Sequence, residues 1–145
     1  MIQRFFRVYL LLVLIVFCSL EPFSQSLNRD TLRLLLIGNS FSRNATTYLP
    51  DLAKEGKYPL IIGKAEIGGC SLQKHWDLSC STDEKPYNGK SLRTILSEQK
   101  WDIVTIQQNS MNSANISTYQ PYADSLYQLI KRYQPTAEVV LHQTW

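Results

Sequence analysis

Residues 31–42 read Thr-Leu-Arg-Leu-Leu-Leu-Ile-Gly-Asn-Ser-Phe-Ser. Leu32, Leu34, Leu35, Leu36 and Ile37 form a tight apolar run that stops at Gly38. A strand with one face in water alternates apolar and polar residues, whereas a nearly unbroken run suits a strand buried on both faces of a parallel sheet. A parallel strand must be followed by a crossover, usually a helix. Ser40 therefore falls on a sharp turn from strand to helix.

The same punctuation continues downstream. Thr46 to Glu55 reads as a helix, with Pro50 allowed only if it lies in the first turn and Gly56 suited to stop it. Leu60 to Ile67 reads as a second strand closed by Gly68-Gly69, and Ser91 to Lys100 as a helix with Leu92, Ile95 and Leu96 on one face. Trp101 to Gln107 gives a third strand, and Pro121 opens a helix carrying Tyr122, Leu126, Leu129, Ile130 and Tyr133 at helical spacing. Pro135 ends that helix, and Glu138 to Gln143 supplies a fourth strand. Leu78 to Lys90 is polar and reads as a surface loop. Alternating strand and helix argues an α/β sheet with helices on its faces.

Composition narrows the function. The chain has 145 residues, 15 basic and 12 acidic side chains, and a net charge of +3, with no basic run interleaved with aromatics. That excludes a nucleic-acid-binding reading. Hydrophobic content of 44% excludes a disordered chain. No cluster has the spacing of metal ligands, so no metal and no organic cofactor is expected.

The first residues are read as a leader. Met1 to Arg7 carries two arginines and no acid, and Val8 to Phe17 is an apolar run closed by Glu21-Pro22. A membrane span needs about 20 apolar residues, so this shorter run fits a secretory signal peptide, with cleavage after Ser26. The mature domain is then residues 27–145, periplasmic or secreted, with no stable membrane span after cleavage. Cys70 and Cys80 remain in it, either closing a short disulfide loop in an oxidising compartment or staying two buried thiols.

In parallel sheets ligands bind beyond the carboxyl ends of the strands. Those ends carry Gly38-Asn39-Ser40-Phe41-Ser42, Gly68-Gly69-Cys70-Ser71, Gln107-Gln108-Asn109-Ser110, and His142 with Gln143. A serine on a strand-to-helix turn exposes its hydroxyl where a nucleophile and an oxyanion can both be served. The paired glycines let backbone N–H groups approach a ligand without side-chain obstruction.

Four segments together resemble the SGNH (GDSL-type) hydrolase superfamily. They are Leu36 to Ser42, Ile67 to Leu72 with His75-Trp76, Trp101 to Gln108, and His142 to Trp145. The Ile-Gly-Asn-Ser-Phe-Ser block is similar to that of a subgroup of secreted bacterial proteins. The resemblance implies a three-layer α/β/α, flavodoxin-like fold with a mainly parallel sheet, and hydrolysis of ester bonds. It makes Ser40 the nucleophile, Gly69 or Gly68 an oxyanion donor through its backbone N–H, and an amide side chain of the third block the other donor. The family's Gly-x-Asn-Asp is missing there, so Gln108 and Asn109 compete for that part. Asn39 stands where most of the family has aspartate. Asn39, His75 and His142 are the candidate substrate contacts.

One family element is absent. The resemblance calls for an Asp-x-x-His pair near the carboxyl end, the histidine taking the serine proton. Neither of the two histidines, His75 and His142, matches it by position. A serine without its base keeps only what an oxyanion hole and binding can supply. The chain is therefore expected to be the N-terminal portion of an exported serine esterase, its C-terminal part missing. The substrate class that the resemblance suggests is an O-acylated, in particular O-acetylated, carbohydrate or other small ester. The alternative is a catalytically inactive carbohydrate-binding protein, or a truncated remnant, on the same scaffold.

Overall fold

The computed structural model describes residues 30–81 and 83–144; the expected leader, residues 1–26, lies outside them. Four strands, β1 (Leu32–Gly38), β2 (Leu60–Glu66), β3 (Ile103–Gln107) and β4 (Glu138–His142), form one sheet in the order β2-β1-β3-β4, every pairing parallel. Six helices connect them: α1 (Ser40–Ala45), α2 (Leu49–Glu55), α3 (Leu72–Cys80), α4 (Leu92–Glu98), α5 (Ser110–Ser113) and α6 (Tyr122–Tyr133), with a 3-10 turn at Ile116–Thr118. The α/β architecture expected from the apolar runs is the one observed.

The run that opens the sequence reading is buried because β1 is an inner strand with a neighbour on each edge. Leu35 and Ile37 are fully enclosed and Leu36 is 2% exposed. Side chains alternate faces along a strand. Leu35, Ile37, Ala65, Val104 and Ile106 therefore share one face, where they meet Leu72 of α3, Leu92 and Leu96 of α4, and Leu126 and Ile130 of α6. Trp101 closes this core at its lower end. Its ring occupies the space a Cβ on Gly63 would need, and its Nε1–H donates to the Ile95 carbonyl at 3.0 Å. The right-handed rule for crossovers explains the layers: the chain steps one way from β1 to β2 and the other way from β2 to β3 and β4, so α1 and α2 fall on the opposite face.

One expectation is corrected here, and one open choice is resolved. The stretch from Leu78 was read as a surface loop, yet α3 continues to Cys80, and Tyr87 inside the supposed loop is 3% exposed. Cys70 and Cys80 are free thiols, the first buried and the second exposed, so no disulfide closes that loop. Among the described residues no helix is long and apolar enough to cross a membrane.

Candidate active site

The carboxyl edge of the sheet is built around the first turn of α1. A helix start leaves its first N–H groups without intrahelical acceptors, and each buried one must find another. Asn39 is the N-cap: its Oδ1 accepts the Phe41 N–H at 3.1 Å. Its Nδ2 donates to the Cys70 carbonyl at 3.1 Å, tying the turn after β1 to the loop after β2. From β3, Gln107 Oε1 accepts three hydrogen bonds: Ser42 Oγ–H at 2.7 Å, Ser42 N–H at 3.2 Å and Asn39 N–H at 3.3 Å. The Arg43 N–H reaches the Asn39 carbonyl at 3.3 Å.

One group is left over. Ser40 is exposed, and neither its N–H nor its hydroxyl has a partner among the described residues. The turn thus spends its other amides on holding shape and leaves the serine pointing out. Gly38 makes this packing possible, since a Cβ there would run into Ser42 Oγ and come within 2.9 Å of Gln107 Oε1.

The loop after β2 is a turn closed by Cys70 N–H to the Ile67 carbonyl at 3.1 Å, with Gly69 at φ 64. That left-handed conformation at the third turn position favours glycine. Gly68 and Gly69 are both exposed, nothing lies within 4 Å of where their Cβ atoms would be, and neither N–H donates to a described residue.

The two rival amides differ in what they have spent. Gln108 is 1% exposed; its Nε2 donates to the Thr118 carbonyl at 3.0 Å and to Thr118 Oγ1 at 3.2 Å. Its Oε1 accepts from Leu72 N–H and Asn109 N–H. Both of its donors and its oxygen are therefore committed. Asn109 caps α5 through its Oδ1, on the Asn112 N–H at 3.0 Å, and donates from Nδ2 to the Gly69 carbonyl at 3.1 Å. An amide NH₂ has two hydrogens. Asn109 has used one, at the lip of the glycine turn.

The histidines separate as clearly. His75 is fully buried on α3, its Nε2–H donating to the Gly38 carbonyl at 3.0 Å. A carbonyl only accepts, so Nε2 carries the proton and Nδ1 accepts from the Tyr87 hydroxyl at 2.8 Å. Burial lowers the His75 pKa to about 4, opposed by the Gly38 carbonyl, so the ring is neutral at physiological pH. Burial, helped by Cys70, raises the Tyr87 hydroxyl, which stays a donor. His75 therefore pins the end of β1 from beneath and does not face a substrate, contrary to expectation. Asn39, 1% exposed with both ends of its amide occupied, is likewise a capping residue in place of the expected substrate contact.

His142 ends β4 opposite Gln107, and its ring makes no hydrogen bond among the described residues. β1 and β4 are two places apart, about 10 Å between strand axes. No hydrogen bond links the His142 ring to Ser40. Cys70 is inert: burial raises its thiol to about 11, only partly offset by Lys74. No group of three or more His, Cys, Asp or Glu among the described residues could hold a metal ion. Sequence reasoning did not single out Gln107 or Tyr87. Gln107 lay beside Gln108 with no signal to tell the two apart, and Tyr87 lay in an apparently polar loop.

Residues 33–145 match the profile of a domain of unknown function, DUF4886. The fold resembles the crystal structure of a DUF4886 family protein from Bacteroides uniformis, with a TM-score of 0.71 and 29% identity over 80% of this chain and 51% of that one. It also resembles a protein of Slackia heliotrinireducens provisionally assigned to the SGNH hydrolases, with a TM-score of 0.59 and 24% identity over 80% of this chain and 58% of that one. The second likeness shows the fold. The chain spans little more than half the length of these solved relatives. No curated protein matches the sequence.

Proposed function

The chain belongs to the DUF4886 family, and we propose that it carries the nucleophile and oxyanion hole of an SGNH-type esterase. The observation that carries this reading is the leftover pair on Ser40: an exposed hydroxyl and an unspent N–H on a turn whose neighbouring amides at Asn39, Ser42 and Arg43 are all committed. Ser40 Oγ attacks the ester carbonyl, and its proton passes to a general base. The carbonyl oxygen becomes an oxyanion facing the Ser40 N–H, the Gly69 N–H and the second hydrogen of Asn109 Nδ2. Preorganised donors of this kind lower the barrier because they need no reorientation as charge develops; one is worth about 3–4 kcal/mol. Collapse of the tetrahedral intermediate expels the alcohol and leaves acyl-Ser40, which water hydrolyses.

Asn109 takes the side-chain part of the hole, since Gln108 would have to abandon Thr118 to serve it. Neither histidine of this chain matches by position the base that the resemblance implies. That base belongs to polypeptide outside the described residues, as the Asp-x-x-His pair that the resemblance implies. Substrates are small O-acyl esters, with O-acetylated carbohydrate foremost, and the leader sends the protein to the periplasm or beyond. One observation favours a rival: no described residue accepts the Ser40 proton, as in a binding protein that has lost catalysis.

Turnover of an aryl acetate by the native full-length protein and by Ser40→Ala separates the two. The esterase reading expects the variant to fold normally and lose turnover by at least about a thousandfold. Equal, slow hydrolysis by both proteins would overturn it and leave sugar binding as the account.

A further inference from the structure

We infer that Gln107 is the positioning residue of the Ser40 turn, and that its neutrality is part of the role. The inference rests on the esterase reading of Ser40 and extends it to a residue on a different strand.

Gln107 is fully buried at the end of β3, and a single oxygen gathers donors from both the N-cap and the third residue of α1. Asn39 and Ser42 bracket Ser40, so fixing both fixes the serine between them. The helix itself has six residues and cannot hold that turn by its own cooperativity. Meanwhile Gln107 Nε2 is buried with no partner. Leaving a buried donor unmatched is costly, so the side chain is held for what its oxygen does.

An amide supplies this anchor without charge. A carboxylate of the same shape would accept the same three hydrogen bonds, and accept them better. It would also set a negative charge under the turn whose free N–H must stabilise a negative oxygen. The choice of glutamine over glutamate follows from that conflict, and it gives a test that a purely structural role does not share.

The experiment uses the native full-length protein and an aryl acetate, with kcat and KM measured for wild type, Gln107→Glu, Gln107→Met and Ser40→Ala, and thermal midpoints recorded for each. Gln107→Glu keeps the three acceptor contacts but buries a carboxylate, so its midpoint should fall as the pH rises and the carboxyl ionises. Its turnover is compared at a pH where the variant is folded and ionised. Its kcat should fall at least about tenfold, with KM within about threefold. Gln107→Met keeps the shape without the acceptor and should also lose kcat; if it fails to fold, the glutamate variant decides alone. A folded Gln107→Glu with kcat within about twofold of wild type overturns the assignment while leaving Ser40 untouched. A wild type no faster than Ser40→Ala overturns the esterase reading, and this inference with it.

Discussion

Replacing Gly38 by alanine tests the packing beneath Ser40 without touching an exposed atom. The backbone at Gly38 is not in the left-handed region, so the cost of a methyl group there is steric. The new Cβ would run into Ser42 Oγ, sit 2.9 Å from Gln107 Oε1 and 3.2 Å from Gln107 Cβ. None of these atoms has room to retreat, because Ser42 and Gln107 are both fully buried. Overpacking of this kind costs about 1–3 kcal/mol. Displacing the 2.7 Å bond from Ser42 Oγ to Gln107 adds about 1 kcal/mol. The sum, about 2–4 kcal/mol, should appear as a lower denaturant midpoint with an unchanged slope. Ser42→Ala alone should cost about 1 kcal/mol, the loss of that one bond. In the double variant the two residues no longer collide, so it should be more stable than the summed single effects by at least about 1 kcal/mol. Strict additivity, or a Gly38→Ala protein as stable as wild type, would refute the claim that Ser42 and Gln107 fill the space over Gly38.

Other consequences concern the groups around the turn. His75 has its pKa lowered to about 4 in the folded protein from an ordinary 6.5. The unfolded chain therefore binds more protons between those values, and stability is full above pH 6.5 and falls as the pH drops toward 4, by about 3 kcal/mol in all. Urea midpoints across that window should show the fall in wild type and much less of it in His75→Gln; identical pH profiles would contradict a buried neutral ring. Gly69→Ala meets no atom but forces φ 64 on an alanine, so it should cost about 1 kcal/mol of stability. Its turnover should drop more than that strain alone explains, and an unaffected rate would remove Gly69 from the oxyanion hole. Of the two cysteines among the described residues, a maleimide at neutral pH should label exposed Cys80 and spare buried Cys70, whose thiol is pushed up to about 11. Peptide mapping that found the two joined would contradict the free thiols described above.

Much of the fold was legible because the sheet is parallel and buried. The apolar run from Leu32 to Ile37, the Trp101–Gln107 segment and the Glu138–Gln143 segment each appear as a strand within two residues of expectation. The helix expected over Thr46–Glu55 is Leu49–Glu55, and a separate six-residue helix, Ser40–Ala45, precedes it. Asn39 caps the earlier one, and Pro50 is accommodated only because a new first turn opens at Leu49. α3 escaped an apolar-periodicity reading since its inward face carries His75 and Ser79 alongside Leu72. These polar residues are inside because they have partners there, which no spacing rule reveals. The same holds at the site. Ser40 and the glycine turn were legible as residues at strand ends, whereas the division of labour among Asn39, Gln107, Gln108 and Asn109 depends on which face each amide takes and which donors it meets. His75 looked like a ligand contact from its place after the glycine turn; the Gly38 carbonyl and the Tyr87 hydroxyl make it a buried pin.

The central claim is that Ser40 is a nucleophile, and covalent trapping tests it most directly. The native full-length protein is treated with a fluorophosphonate, and the modified site is located by intact mass and peptide mapping. A single adduct on Ser40, absent from Ser40→Ala, is the expected result. An adduct on another residue, or hydrolytic turnover with Ser40 left unmodified, would contradict it.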